Sequence, residues 1–318
     1  MPDAIAQKPA SSARHSWEVG RYALLITLIA IVVITAIGNP RFFSVNNFLN
    51  ILLQVSVLGI VAAGQTMLLI SGGLDLSVGA ALSVAGLCAA IVIVGAGSVP
   101  LGVLAGLAAG AVIGLVNGVL VATNRATPFI VTLGTMTFLF GVAIVISGGS
   151  PINGAGMLFD VFGLGSLLGV PSPVYVLLAT LVVTSVVLRR TVLGRYAFAI
   201  GGNEEAARLS GVPVRKIKIG LYTLNGLIVG VGAVVLTGIL DSALPNMGTG
   251  YELRAIAAVV IGGTPLFGGR GTVIGTFGGV LLLGLVSNSM NLLGVGANYQ
   301  SAVLGLIITA AVLVQKKR

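Results

Sequence analysis

Few side chains in this sequence could do chemistry, and nearly all of them are neutral. Gln65, Thr66, Asn117, Thr135, Asn225, Asn288 and Asn291 lie inside long apolar stretches. Asp75 stands in the glycine-rich stretch SGGLDLSVG at 71–79. Amides and hydroxyls donate and accept hydrogen bonds without carrying charge. They suit an uncharged, hydroxylated solute such as a sugar, or they tie spanning helices together at about 0.6 kcal/mol per bond. Gln65, Asn117, Asn225 and Asn288 are the candidates to line a path through the molecule. Asp75 sits at a span boundary, where it suits a helix N-cap shared with Ser77. No catalytic constellation is visible. The sequence contains no GxxxxGK[ST] phosphate loop, no HExxH and no nucleophile elbow. Cys88 and His15 are each the single residue of their type, which leaves no ligand set for a metal.

Composition states what surrounds these groups. The chain of 318 residues is 56% hydrophobic and 8% charged, with a mean hydropathy of +1.10. A soluble domain carries about 25% charged residues, so this chain is an all-α integral membrane protein. The 47 glycines let spanning helices approach closely. A net charge of +9 reads as cytoplasmic flanking charge under the positive-inside rule, with no nucleic-acid partner. The first helix is long and lacks a small-residue cleavage site, as in an uncleaved anchor.

Hydropathy and turn signals predict about ten transmembrane helices. After a cytoplasmic tail at 1–21, the membrane part at 22–315 holds spans near 22–37, 47–70, 77–94, 101–121, 129–146, 174–188, 219–240, 252–261, 272–286 and 299–314. With the N-terminus and C-terminus both inside, every Lys and Arg except Arg41 and Arg254 falls on the cytoplasmic side. Two glycine-rich breaks carry structural turns, Gly72, Gly73 and Asp75 in one, and Gly262, Gly263, Gly268 and Gly269 in the other. Such breaks recur in both halves, a hint of internal duplication.

The only long polar interval inside the chain is 189–218, a cytoplasmic region with Arg189, Arg190, Arg195, Arg208, Arg215, Lys216 and Lys218. It encloses one short helix. Asn203 suits the N-cap and Glu204 and Glu205 suit the first turn. Ala206 and Ala207 favour the helix, Gly211 suits its C-terminal cap, and Pro213 forbids continuation.

GGLDLSVG at 72–79, GRYAFAIGGNEEAARLSG at 194–211, AIAAVVIGGTPLFGGRGTVIG at 255–275 and NSMNLLGV at 288–295 together resemble the ribose-type family of bacterial ABC importer permeases. The resemblance spans nearly all of the chain beyond the tail. It implies a multi-pass subunit of the bacterial inner membrane that pairs with a second permease subunit, identical or related. It also implies a cytoplasmic ABC ATPase that binds the ATP, so that this chain needs no cofactor, and an extracytoplasmic sugar-binding protein. The short helix would be the coupling helix, comprising Gly201, Asn203, Glu204, Glu205, Ala206, Ala207, Arg208, Ser210 and Gly211. Three alternatives stand beside this: a branched-chain amino acid permease of similar architecture, an ion-coupled secondary transporter, and a passive channel.

Overall fold

The computed structural model describes residues 29–123, 127–154, 156–163, 165–296, 299–300, 302–303, 305–307 and 309. The tail with His15, the connection at Arg125 and the closing residues 310–318 lie outside the described residues. The helices are α1 (Ile29–Gly38), α2 (Val45–Ile70), α3 (Val78–Ala96), α4 (Val99–Thr123), α5 (Pro128–Ser147) and α6 (Ser172–Arg190). They continue with α7 (Val192–Gly202), α8 (Glu204–Leu209), α9 (Val214–Leu240), α10 (Tyr251–Ile261) and α11 (Val273–Leu292). Among the described residues, α2, α3, α4, α5, α6, α9 and α11 are each long and apolar enough to cross a membrane. The protein is an all-α, multi-pass membrane protein.

Helix α2 is the axis of the bundle. Ser44 caps its start by accepting from the Asn47 N–H at 3.2 Å, and its residues from Val55 to Ile70 are buried. Helices α6, α9, α10 and α11 pack around it. Helix α4 lies on the outside and buries a single stripe: Gly102, Gly106, Gly110, Gly114, Asn117, Gly118 and Val121. Spacing by four residues keeps this stripe on one face. It meets Gly226 and Gly230 of α9 so closely that a Cβ on Gly110 would run into the Gly226 carbonyl, and one on Gly226 into the Gly110 carbonyl. Backbone thus packs on backbone from Gly106 to Gly118, while Gly102 faces Ala89 and Ile93 of α3, the small-residue solution for helices that lipid does not press together.

Two of the helices begin beside their neighbours rather than at the end of the bundle. The chain leaves α2 at Ile70 and turns back through residues 71–77, of which Ser71, Asp75, Leu76 and Ser77 are buried, to start α3. It leaves α9 at Leu240 and turns through 241–250 to start α10. Gly248 in this second break donates its N–H to Ser83 Oγ at 3.1 Å, so the second break reaches down to the first turns of α3. The entrance of that break is pinned by an antiparallel pair in which Ile152 faces Ala243 and Asn153 faces Ser242.

Several boundaries differ from the sequence expectation. Helix α9 starts at Val214 rather than 219, and α11 continues to Leu292 rather than 286. The interval 189–218 holds more than one short helix. Helix α7 fills Val192–Gly202, with Thr191 accepting from the Gly194 N–H at 3.3 Å and Gly194, Ala197 and Ile200 buried along one face. Its one arginine, Arg195, faces outward while that face carries it onto the bundle, so a charge count alone hides it.

Candidate functional site

Two places gather functional groups: a polar knot between α2, α3, α4 and α9, and a knob built by α7 and α8.

In the knot, Asp75 is only 2% exposed. Its Oδ1 accepts from the Ser77 N–H at 2.9 Å, the Ser77 hydroxyl at 2.6 Å and Asn117 Nδ2 at 3.4 Å. Its Oδ2 accepts from Asn225 Nδ2 at 3.2 Å. Gln65 donates to the Asp75 carbonyl, and Asn117 Nδ2 also reaches Ser77 Oγ at 2.8 Å. No cation lies within ion-pair distance of Asp75 among the described residues. Fixed donors therefore replace water around the carboxylate, as burial of a charge requires. Ser77 holds the N-cap position of α3 without a side-chain cap bond; Asp75 acts on Ser77 itself.

Tyr222 of α9 locks the break from one side. Its hydroxyl donates to the Leu74 carbonyl at 2.9 Å and accepts the Leu74 N–H at 3.2 Å. Sequence reasoning missed this tyrosine, because nothing in its neighbourhood marks a clamp reaching 148 residues back. Glu252, which carries no motif, is a second such residue. Glu252 is 8% exposed and takes the Gly250 N–H at 3.1 Å at the start of α10.

The structure thus joins Gln65, Asn117 and Asn225 in one knot, all fully buried. Asn288 stands elsewhere, in a reciprocal amide pair with Asn47 at 2.8 and 3.2 Å. Asn291 bonds to Gln300 at 2.6 Å. Thr66 of α2 bonds Thr276 of α11 at 2.7 Å.

In the knob, Asn203 Oδ1 accepts from the Ala206 N–H at 2.9 Å, and Gly211 closes the helix at φ +81°, a conformation that glycine adopts without strain. Glu204 is shared between Arg208 at 3.2 Å and Lys218 at 2.7 Å, and Glu205 meets Arg208 at 3.3 Å. Ala207 points inward, buried with Ile200 and Val214. Ala206, Arg208, Ser210 and Leu209 face out, with Leu209 81% exposed. Of the two alanines, only Ala206 is therefore free for a partner, while Ala207 seats the helix on its own base.

Knob and knot are joined by backbone. A Cβ on Gly201, at the end of α7, would collide with the Ile70 carbonyl and lie 2.5 Å from Gly269 N. The Gly269 N–H donates to that same Ile70 carbonyl at 2.9 Å. Gly72, Gly263, Gly268 and Gly269 adopt positive φ. Gly73 and Gly262 do not; a Cβ on Gly262 would strike the Gly275 carbonyl. The two glycine turns seen in the sequence and the end of α7 thus meet at one junction, with α8 starting two residues beyond it.

The fold is therefore a bundle of spanning helices with two internal breaks, a buried knot of amides and hydroxyls around Asp75, and a capped polar knob. Residues 47–312 match the family described as branched-chain amino acid transport system / permease component, and the chain belongs to that family. It is 44% identical to the ribose import permease protein of Escherichia coli (strain K12) over 95% of both chains. It is also 44% identical to the ribose import permease protein of Bacillus subtilis (strain 168), over 92% of this chain and 91% of the relative. To the L-arabinose transport system permease protein of Escherichia coli (strain K12) it is 38% identical, over 97% of this chain and 93% of the relative.

Proposed function

We propose that this chain is the membrane-spanning permease subunit of an ATP-driven importer for a simple sugar, with a pentose as cargo. The observation that carries the reading is 44% identity over 95% of both chains to a ribose import permease. The L-arabinose relative keeps the cargo in the same chemical class. Neutral amides and hydroxyls inside the spans suit such a solute, whereas an ion-coupled carrier would need ionisable groups facing a path.

The subunit has ten spans with both termini cytoplasmic, in the inner membrane. Contacts are consistent with that sidedness: breaks 71–77 and 262–272 touch each other and the end of α7, and 152–153 pairs with 242–243. Two permease subunits enclose the path. A periplasmic sugar-binding protein delivers the solute, and a cytoplasmic ABC ATPase binds ATP and docks on α8, moving residues 203–210. That motion alternates access to the path. Gln65, Asn117, Asn225 and Asn288 are the residues assigned to it, the first three acting through the knot around Asp75.

The test is reconstitution in proteoliposomes with the ATPase and the binding protein. ATP-dependent uptake of ribose or L-arabinose is the expected result. Uptake of leucine instead would move the cargo to the branched-chain amino acids named in the family description. Uptake by this chain alone under a proton or sodium gradient would overturn the importer reading.

A further inference from the structure

We propose that the loop 263–270 is a second docking element for the ATPase subunit, presenting Phe267 beside α8 on the same rigid body. The inference rests on the importer reading above and extends it to a surface outside the coupling helix.

Phe267 is 80% exposed although its neighbour Leu266 packs against the core. The loop is fixed at several points. Thr264 is buried, the Gly268 N–H turns back to the Pro265 carbonyl at 3.1 Å, and the Gly269 N–H is held by Ile70. A Cβ on Gly268 would lie 2.7 Å from Gly72 N. A rigid loop that shows a phenyl ring outward is a built surface rather than an accident of a mobile tip.

Lipid is a poor occupant for this surface. Irregular backbone does not face hydrocarbon, because its open N–H and C=O groups would go unpaired there. Exposed Arg270 follows three residues on. In water, a phenyl ring held outward on a fixed loop offers the kind of aromatic contact that protein interfaces favour. Which partner follows from position: Gly269 would bring a Cβ to 3.3 Å from the Gly202 Cα, and α8 begins two residues after Gly202. Phe267 and the capped knob therefore stand within a few residues' reach of each other, each residue spanning at most about 3.6 Å. Leu209 of α8, 81% exposed, supplies a second apolar prong. Arg190, Arg195, Arg208 and Arg215 are exposed in the segment that carries α8, and Arg270 is exposed at the end of the loop. The matching partner surface is an apolar double socket rimmed by carboxylates. Buried aromatic anchors of this kind carry most of the energy of a protein interface.

The experiment uses the full importer complex, purified in mild detergent. Phe267→Asp is expected to weaken ATPase co-purification about tenfold or more, as is Ala206→Trp on α8, while Phe267→Leu keeps it. A photo-crosslinking side chain at position 267 is expected to label the ATPase. If Ala206→Trp releases the ATPase and Phe267→Asp does not, the second prong is wrong and the importer reading stands. If neither variant changes an ATPase that co-purifies, both the prong and docking on α8 are wrong. Should Phe267→Asp reduce the yield of folded protein, the crosslink decides. Label on the ATPase supports the prong, and label on lipid or on a second copy of this chain overturns it.

Discussion

Two glycine contacts in this molecule look alike and do different work. Along the α4–α9 seam, glycines from both helices interlock over several turns, each facing the other's backbone, with side chains packed on either flank. At the junction below α7, Gly201 and the 263–270 loop meet the end of α2 at Leu69, Ile70 and Gly72, with one hydrogen bond from the Gly269 N–H to the Ile70 carbonyl. The first contact has no alternative arrangement without parting two long helices over their whole length. The second involves only the ends of α2 and α7 and the 263–270 loop. The two regions differ in the number of turns engaged: several along the seam, fewer than one at the junction.

That contrast can be broken most severely at the seam. Gly114→Val would press a branched side chain onto the Tyr222 carbonyl and the Gly226 Cα. Overpacking costs about 1–3 kcal/mol, and the expected outcome is loss of folded protein, read as yield and monodispersity in detergent. Equal loss from Gly134→Val would argue against the contrast, since Gly134 on α5 has open space around its would-be Cβ.

The knot comes next. Asp75→Ala strips the acceptor from the Ser77, Asn117 and Asn225 donors, each orphan costing about 1–3 kcal/mol. A drop in the thermal midpoint in detergent is expected, with Tyr222→Phe causing a smaller drop because Leu74 alone loses its partners. A midpoint for Asp75→Ala equal to wild type would remove the knot from the account.

The smallest effect is at the surface of the knob. Glu204→Gln weakens the pairs with Arg208 and Lys218. Partly exposed ion pairs contribute about 0.2–1 kcal/mol, so thermal stability should be unchanged within error and ATPase stimulation only slightly reduced. A collapse of stimulation would mean that Glu204 itself contacts the partner.

Much of this was legible beforehand. Apolar run length marked the spans, and Asn203, Glu204, Pro213 and Gly211 marked α8, because both signals are local. The knot was half legible: Gln65, Asn117 and Asn225 stood out as amides in apolar company, but nothing local says that they converge on Asp75 or that Asn288 pairs with Asn47 instead. Tyr222, Glu252 and the Gly201–Ile70–Gly269 junction are products of packing between segments far apart in sequence. Helix α7 escaped because Arg195 and the arginines just before it, Arg189 and Arg190, mask its apolar face. A single sequence shows which glycines are numerous, not which of them touch a carbonyl.

In the proposed importer, motion of α8 reaches the spans through the Gly201 junction. Adjacent glycines offer a matched pair, since a Cβ on Gly201 collides with Ile70 while one on Gly202 meets nothing within 4 Å. The deciding measurement is sugar uptake per ATP hydrolysed in proteoliposomes holding the complete importer. Gly201→Ala should keep its ATPase bound and hydrolysing yet lose most uptake, with Gly202→Ala matching wild type. Normal coupling in Gly201→Ala, or equal loss in both variants, would contradict the claim.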